Sequence, residues 1–279
     1  MRQIDVSEII KSVSELCMEA NYDLNPDIEE ALYVAQQQED NDRAKSVLAN
    51  LLKNAEIAKK ERLAMCQDTG MAVVFIELGQ EIHLIGGNLE DAIHQGVRLG
   101  YQQGYLRKSV AHPITRVNTG DNTPAIIHLR IVPGQQLKIT VAPKGFGSEN
   151  MGSLTMLVPG DGLDGIKKAV IETVKKAGSN PCPPIIVGVG IGGTMEYCTY
   201  LAKRALLRKV GEFHKEEDIA SLEKELLLNI NQLKIGPQGF GGRTTALYVA
   251  IEYAPTHIAG LPVAVNIGCH ATRHKTRTL

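Results

Sequence analysis

Residues 65–78, MCQDTGMAVVFIEL, place a polar turn directly before an apolar run. The turn, residues 65–70, sets a thiol, an amide, a carboxylate and a flexible glycine next to one another. The run that follows, residues 71–78, has the length and composition of a buried strand. We predict that Cys66 holds a metal centre and that Gln67 and Asp68 face whatever binds to it.

The elements on either side of this stretch predict an α+β fold. Residues 5–62 carry apolar side chains at helical spacing and indicate a helical N-terminal region. After residue 63, strand and helix patterns mix in a part that carries the predicted metal centre. The expected strands are 71–78, 125–132, 137–142, 185–189, 246–253 and 262–267, and the expected helices are 89–104, 164–178, 194–208 and 216–233.

Two details of this pattern bear on topology and domains. Residues 125–132 and 137–142 indicate a strand pair, because the Pro133-Gly134 dipeptide between them is a turn signal. No repeat, low-complexity tract or clear linker interrupts the chain. We therefore expect a single domain, 1–279, with 1–62 as a helical subdomain and 63–279 as the binding part.

Composition excludes several classes of protein. The chain has 279 residues, 43% of them hydrophobic and 22% charged, and a formal net charge of -1, so no basic excess points to nucleic acid or a membrane surface. Trp is absent and aromatics are 4%, which argues against base stacking. The N-terminus lacks the apolar core of a signal peptide, and no run approaches the roughly 20 apolar residues of a membrane span. These features indicate a cytoplasmic protein.

A dinucleotide fingerprint is a weak candidate. Gly188, Gly190 and Gly193 match G-x-G-x-x-G between an expected strand and an expected helix. A nucleotide fold needs a second strand roughly 20 residues on that ends in an acidic residue. Residues 209–215, KVGEFHK, are charged and not strand-like. A tight strand-to-helix turn, whose backbone N–H groups could bind an anion, is the preferred interpretation.

A zinc site is also weakly supported. The five cysteines form no C-x-x-C pair, which closed zinc sites usually use. His270 and His274 would share a face if the tail were helical. The tail is short and basic, so we expect a solvated end instead.

Three of the cysteines sit where ligands of an iron–sulfur cluster would need to be. Cys66 precedes a strand, Cys182 lies between prolines that fix its backbone, and Cys269 follows an expected strand. Cys17 and Cys198 lie on apolar helical faces and are expected to be buried thiols. Three protein ligands would leave one iron of a four-iron cluster open as a Lewis acid, although isolated cysteines are most often simply buried.

Six short motifs occur in a fixed order: CQDTG at 66–70, VNTG at 117–120, KGFGSEN at 144–150, NPCPP at 180–184, GPQG at 236–239 and GC at 268–269. This set resembles the class I, iron–sulfur-dependent fumarate hydratases, in particular the alpha subunit of the two-chain form. L-tartrate dehydratase shares the cysteine motifs, but residues 144–148 and 240–245 are similar to the fumarase versions. Phe146, Glu149 and Met151 depart from the commonest fumarase loop, which has Gly, Ala and Lys there.

The resemblance implies a [4Fe-4S] cluster bound by Cys66, Cys182 and Cys269. It places Gln67 and Asp68 against the substrate and makes Asp68 the residue that exchanges a proton with the departing hydroxyl group. On the residues alone, Asp68 would instead be a turn cap.

The resemblance assigns further substrate contacts. Arg107 matches a substrate-binding arginine, whose planar guanidinium suits a carboxylate, and a solvated surface arginine is the alternative. His257 matches a histidine near the substrate and is treated as catalytic, and a structural histidine is the alternative. The loop residues that match a substrate-facing loop, rather than a simple turn, are Gly145, Ser148, Glu149 and Asn150. Arg243 could add a cation but receives no role.

The implied reaction is the reversible hydration of fumarate to (S)-malate, a tricarboxylic acid cycle reaction. The alternative substrate is L-tartrate or another 2-hydroxy dicarboxylate. Such a reaction needs a base that removes a proton from carbon, and in single-chain relatives a C-terminal domain provides it. This chain ends ten residues after Cys269. We therefore expect a separate beta subunit to supply the base and further cationic groups in a hetero-oligomer.

Overall fold

The structure is a computed structural model that describes residues 2–279. The helices are α1 (Val6–Tyr22), α2 (Pro26–Gln38), α3 (Asp42–Glu61), α4 (Leu89–Gln103), the single turn α5 (Phe146–Glu149), α6 (Gly162–Ala177), α7 (Met195–Ala205) and α8 (Glu217–Gln232). The strands are β1 (Arg2–Asp5), β2 (Met71–Gly79), β3 (Ile82–Ile85), β4 (Ile126–Val132), β5 (Leu137–Lys144), β6 (Ser153–Leu157), β7 (Ile185–Gly192), β8 (Ala246–Ala254), β9 (Leu261–Gly268) and β10 (Lys275–Thr278). The fold is α+β, as the sequence predicts.

The contacts divide the chain into two compact units. The first unit contains residues 2–25, Ala55–Phe146 and Arg273–Leu279, and the second contains Pro26–Asn54 and Gly147–Thr272. The predicted helical subdomain, 1–62, is divided between them over its described residues, since α1 lies in the first unit and α2 in the second. The expectation of one domain with boundaries at 62 and 63 stays a prediction.

The first unit is built on a four-stranded sheet with the order β10-β5-β2-β4. β2 runs parallel to β4 and antiparallel to β5. The prediction that 125–132 and 137–142 pair with each other is therefore wrong, because β2 lies between them. Five consecutive residues of β2, 72–76, are buried, and a strand buried on both faces gains most from a central position.

Two glycines of α4 set how closely this helix packs on α1. A Cβ atom at Gly96 would lie 2.7 Å from the Val13 Cβ, and one at Gly100 would lie 2.7 Å from the Ser14 carbonyl oxygen. Side chains at these positions would force the helices apart. The apolar stripe of α1 thus reaches both α4 and the sheet, and it includes Ile9, Val13, Leu16 and Cys17.

The second unit is built on a four-stranded sheet with the order β6-β9-β7-β8. β7 runs parallel to β8 and antiparallel to β9. Helices α6 and α8 bury apolar side chains against one face of this sheet. Helix α7 covers the other face, where Cys198 and Ala202 pack on Ala264.

The glycines that match the nucleotide fingerprint have a steric role beneath α7. A Cβ at Gly188 would lie 2.2 Å from the Ala202 carbonyl oxygen, and one at Gly190 would lie 2.1 Å from that of Cys198. Because these two glycines have no side chains, the backbone of α7 can lie directly on β7. The pattern has a packing explanation that requires no ligand.

The C-terminal tail forms a strand rather than the expected solvated end. β10 pairs antiparallel with β5, and the hydroxyl groups of Thr276 and Thr140 lie 2.8 Å apart. The short strands β1, β3 and β6 were also not predicted.

Within residues 2–279, none of the helices combines the length and apolar character needed to cross a bilayer.

Candidate active site

The turn before β2 is held rigidly in the first unit. The buried Tyr101 hydroxyl donates to the carbonyl oxygens of Thr69 at 2.7 Å and Gly70 at 2.9 Å. Burial raises the pKa of Tyr101, so its phenol stays a donor. Asn122 Nδ2 also donates to the Gly70 oxygen at 3.2 Å, and Arg273 Nη2 donates to the Asp68 carbonyl at 2.6 Å. Buried side chains therefore fix the backbone around Asp68.

The Asp68 carboxylate joins the first motif to the third. Its Oδ1 accepts from the Gly70 N–H at 3.1 Å, and its Oδ2 accepts from the Phe146 N–H at 2.8 Å. A Cβ at Gly145 would lie 3.1 Å from Oδ2, so this glycine permits the approach. These contacts match the turn-cap alternative. The side chain is still partly exposed, and its role in proton transfer stays a prediction.

The second motif, 117–120, is linked to the turn at 66–70 through the segment that carries Arg107. Thr69 Oγ1 donates to the Arg107 carbonyl oxygen at 2.7 Å, and Asn118 Nδ2 donates to the Lys108 carbonyl oxygen at 2.9 Å. The segment that carries Arg107 is thereby tied to the turn at 66–70. The side chains of Arg107 and Gln67 are exposed, and Cys66 is partly exposed. The first unit thus assembles the first two motifs and the start of the third, residues 144–146, and leaves the side chains of Gln67 and Arg107 accessible.

The last three motifs meet in the second unit around Cys182. The Cys182 carbonyl oxygen accepts from the His270 N–H at 3.3 Å, and the His270 Nδ1 lies 3.1 Å from the same oxygen. Gln238 donates to the Pro183 carbonyl oxygen from its backbone N–H at 2.8 Å and from Nε2 at 2.9 Å. Gln238 Nε2 also lies 3.2 Å from the His270 Nδ1. The turn that carries Cys182 is therefore clamped from two sides.

Cys269 sits in a tight turn beside this clamp. Its carbonyl oxygen accepts from the N–H of Thr272 at 2.9 Å and from the Thr272 hydroxyl at 2.7 Å. A Cβ at Gly268 would lie 2.0 Å from the Thr272 Oγ1, so the GC motif needs its glycine. Residues 270–274 are not helical, so the helical histidine pair considered for zinc does not form. Because His270 bonds to Cys182, the second unit brings Cys182 and Cys269 together.

Arg243, which received no role from the sequence, anchors the glycine-rich segment 236–243. Its N–H donates to the Glu39 carboxylate at 2.9 Å, and its guanidinium Nη1 donates to the Gln38 carbonyl oxygen at 3.3 Å. Glu39 is only 5% exposed, and a Cβ at Gly242 would lie 2.8 Å from its Oε2. Arg243 and Glu39 are therefore positioned as structural anchors.

The predicted substrate loop has a mixed environment. Ser148 is buried and Asn150 is exposed. The Glu149 carboxylate forms an ion pair with Lys203 and accepts from Asn266 Nδ2 at 3.0 Å. Asn150 lines a cavity of about 590 Å³ between α6 and β6, which the cysteines do not line. The substrate contacts assigned to these residues stay predictions.

His257 lies away from the cysteine pair of its own unit. Cys182 precedes β7 and Cys269 follows the antiparallel β9, so both are at one end of the sheet. His257 is in the turn between β8 and β9, at the other end, and β7 has eight residues. At about 3.3 Å per residue the separation is roughly 25 Å. The His257 Nδ1 accepts from the Ala259 N–H at 3.2 Å, which suits a structural histidine.

The cysteines fit the chemistry of an iron–sulfur cluster to different degrees. Cys182 is exposed and Cys269 partly exposed on rigid turns, as thiolate ligands of a cluster need to be. Neither unit, within residues 2–279, groups three His, Cys, Asp or Glu side chains as a metal site. Cys66 belongs to the first unit, so the convergence of three sulfurs stays a prediction.

Alkylation of the native chain without a cluster should separate the cysteines into two groups. Burial raises the pKa of Cys17 to about 12 and that of Cys198 to about 11, so both remain protonated at pH 8. We expect iodoacetamide to modify Cys182 readily, Cys66 and Cys269 more slowly, and the two buried thiols only after unfolding. Peptide mass mapping measures this, and rapid labelling of Cys17 or Cys198 would contradict it.

Known proteins resemble this chain over nearly its whole length. The sequence model of the fumarate hydratase (Fumerase) family matches residues 10–278. A putative L(+)-tartrate dehydratase subunit alpha from Methanocaldococcus jannaschii is 44% identical over 273 residues, which cover 96% of each chain. An L(+)-tartrate dehydratase subunit alpha from Escherichia coli strain UTI89 is 31% identical over 279 residues, 99% of this chain and 92% of the relative. The resemblance of the six motifs is confirmed, and the chain belongs to the fumarate hydratase family of hydro-lyases.

Proposed function

We propose that this chain is the alpha subunit of a hydro-lyase that interconverts fumarate and (S)-malate with a [4Fe-4S] cluster. The observation that carries the proposal is the pair of accessible cysteines, Cys182 and Cys269, held side by side by His270 in a member of this family. A reducing compartment keeps such thiols reduced, and we propose the cytoplasm as the location.

Cys66, Cys182 and Cys269 would hold the cluster. When bound, such a cluster supplies an open iron that acts as a Lewis acid on a substrate oxygen. The contribution of the protein is to present thiolates from turns that do not rearrange. The clamps from Gln238 and His270 on the Cys182 turn supply that rigidity.

Asp68 is the proposed general acid in the dehydration direction. The C–O bond of malate breaks, and a proton from Asp68 leaves with the hydroxide as water. The N–H groups of Gly70 and Phe146 orient the carboxyl group for this transfer, and Asp68 is left as the carboxylate. Gln67 and Arg107 are proposed to hold the substrate, since guanidinium and amide donors suit a carboxylate.

Dehydration also removes a proton from the neighbouring carbon, which requires a base. We assign this base to a separate beta subunit. The relatives from M. jannaschii and E. coli are named as alpha subunits, which supports a two-chain enzyme. The beta subunit would also supply cationic groups for the second carboxylate of the substrate.

L-tartrate is the second candidate substrate. The names of the two relatives favour it. The segments 144–148 and 240–245, which are similar to the fumarase versions, favour fumarate. Dehydration of L-tartrate would need the same residues. L-tartrate differs from malate only by an additional hydroxyl group on the neighbouring carbon.

The test is turnover by the two-chain complex after anaerobic cluster reconstitution. We expect brown absorbance at roughly 400 nm from thiolate-bound iron–sulfur, little activity from the alpha chain alone, and a higher kcat/KM for (S)-malate than for L-tartrate. A higher value for L-tartrate would select the second candidate. No turnover of either acid by a cluster-loaded complex would refute the hydro-lyase proposal.

A further inference from the structure

One ion pair of the second unit engages the proposed substrate loop and has no role in the function described so far. Lys203, on α7, pairs with the carboxylate of Glu149, at the end of α5. The side chains are 19% and 26% exposed, so the pair is largely shielded from solvent. Asn266 Nδ2 donates to the other carboxylate oxygen at 3.0 Å. Both oxygens of Glu149 therefore have donors from the sheet and from α7.

These contacts fix the backbone that follows the loop. The Met151 N–H donates to the Ser148 carbonyl oxygen at 3.1 Å, and the Gly152 N–H donates to that of Glu149 at 3.2 Å. The turn continues into β6, which pairs with β9, the strand that carries Asn266. Lys203 and Asn266 thus attach the turn to α7 and to the sheet through one carboxylate.

The charge of Glu149 matters because the proposed substrate is a dianion. A carboxylate without a counter-ion in a loop meant to receive another carboxylate would repel it, more strongly where solvent is scarce. An adjacent ammonium group cancels that repulsion, and Lys203 is placed to supply it.

Resting on the proposed function, we propose that Lys203 is a positioning residue for substrate binding. By pairing with Glu149 it holds segment 148–152 in its binding conformation and neutralises the loop for a dicarboxylate. Glu149 then acts as the anchor of the loop rather than as a direct substrate contact.

Replacing Lys203 by Met in the reconstituted two-chain complex should raise the KM for malate about tenfold and change kcat less than about twofold. The Lys203→Arg variant should keep a KM near that of the wild type, because it restores the charge. The double variant Lys203→Met/Glu149→Gln should recover only part of the loss, because it removes the unpaired charge but does not restore the ion pair that anchors the segment. Lys209→Met, which removes an exposed lysine 4.0 Å from Glu212, is the matched control and should leave KM unchanged.

Hydrogen exchange of the alpha chain gives a readout that does not depend on turnover. The Met151 and Gly152 amides should exchange at least about tenfold faster in Lys203→Met than in the wild type or in Lys209→Met. Unchanged KM and unchanged exchange in Lys203→Met would overturn the inference, as would a fall in kcat alone. If the wild-type complex turns over neither diacid, the proposed function fails, while the exchange experiment still decides whether Lys203 holds the loop.

Discussion

Replacing Asp68 by Asn should lower the kcat of the reconstituted complex on the order of 100-fold or more, because an amide cannot give up a proton to the departing hydroxyl group. The substitution keeps the size of the side chain and retains an oxygen for the Gly70 N–H. With that oxygen on the Gly70 N–H, the amide NH₂ faces the Phe146 N–H, so the hydrogen bond from Phe146 is lost. The measurement is steady-state kinetics with malate at saturating concentration.

Asp121→Asn is the matched control for this variant. The Asp121 carboxylate also closes a turn with the N–H two residues on, at 3.0 Å from the Thr123 nitrogen, and lies in the same unit. The two variants lose the same charge from the same kind of turn. We expect Asp121→Asn to keep kcat within about threefold, since it lacks a part in proton transfer. Equal activity of Asp68→Asn and the wild type would show that Asp68 is only a turn cap.

The Glu223→Gln variant should lose about 3 kcal/mol of unfolding free energy, because it removes one partner of a buried ion pair. The Glu223 side chain is 0% exposed and pairs with Arg208. It also accepts from the N–H groups of Ile251 and His214, each at 2.8 Å. Arg208 keeps Glu252 as a second partner at 2.7 Å, which limits the loss. For a chain of this size the melting temperature should fall by roughly 6–12 °C.

Glu225→Gln tests whether burial of the carboxylate is the cause of the stability loss expected for Glu223→Gln. Glu225 lies on the same helix and pairs with Lys167 at 2.7 Å, but its side chain is 46% exposed. An exposed pair contributes about 1 kcal/mol or less, so this variant should melt within about 4 °C of the wild type. Calorimetry of the alpha chain compares the two, and equal shifts would contradict the assignment of Glu223 as a buried anchor.

The long elements could be predicted because their signal is local. An amphipathic helix such as α4 shows its buried stripe within its own sequence, and a central strand such as β7 shows a continuous apolar run. The short strands carry no such signal. β1 and β10 have four residues each, and their partners β3 and β5 are far away in sequence. The position of β2 between β4 and β5 was also not predicted, because it depends on burial in the folded sheet and not on a local turn signal.

The candidate site was predicted only where its residues form motifs. The turns around Asp68 and Cys182 could be identified because several informative residues are adjacent in sequence. Tyr101, Arg273 and Glu39 were missed because each binds backbone groups of a remote segment. Arg273 in particular stands in a basic tail whose composition is typical of solvent-exposed residues, yet it is 4% exposed.

The glycines of β7 show how a ligand-binding pattern can arise from steric demand alone. Where a helix rests on a strand with no side chain between them, alternate strand positions are confined to glycine. The turn that follows adds a third glycine, and the resulting string is the one used to recognise dinucleotide pockets. Genome searches that rely on those three letters will therefore retrieve closely stacked helix–strand pairs together with nucleotide sites, and only the residues of the next strand can tell the two apart.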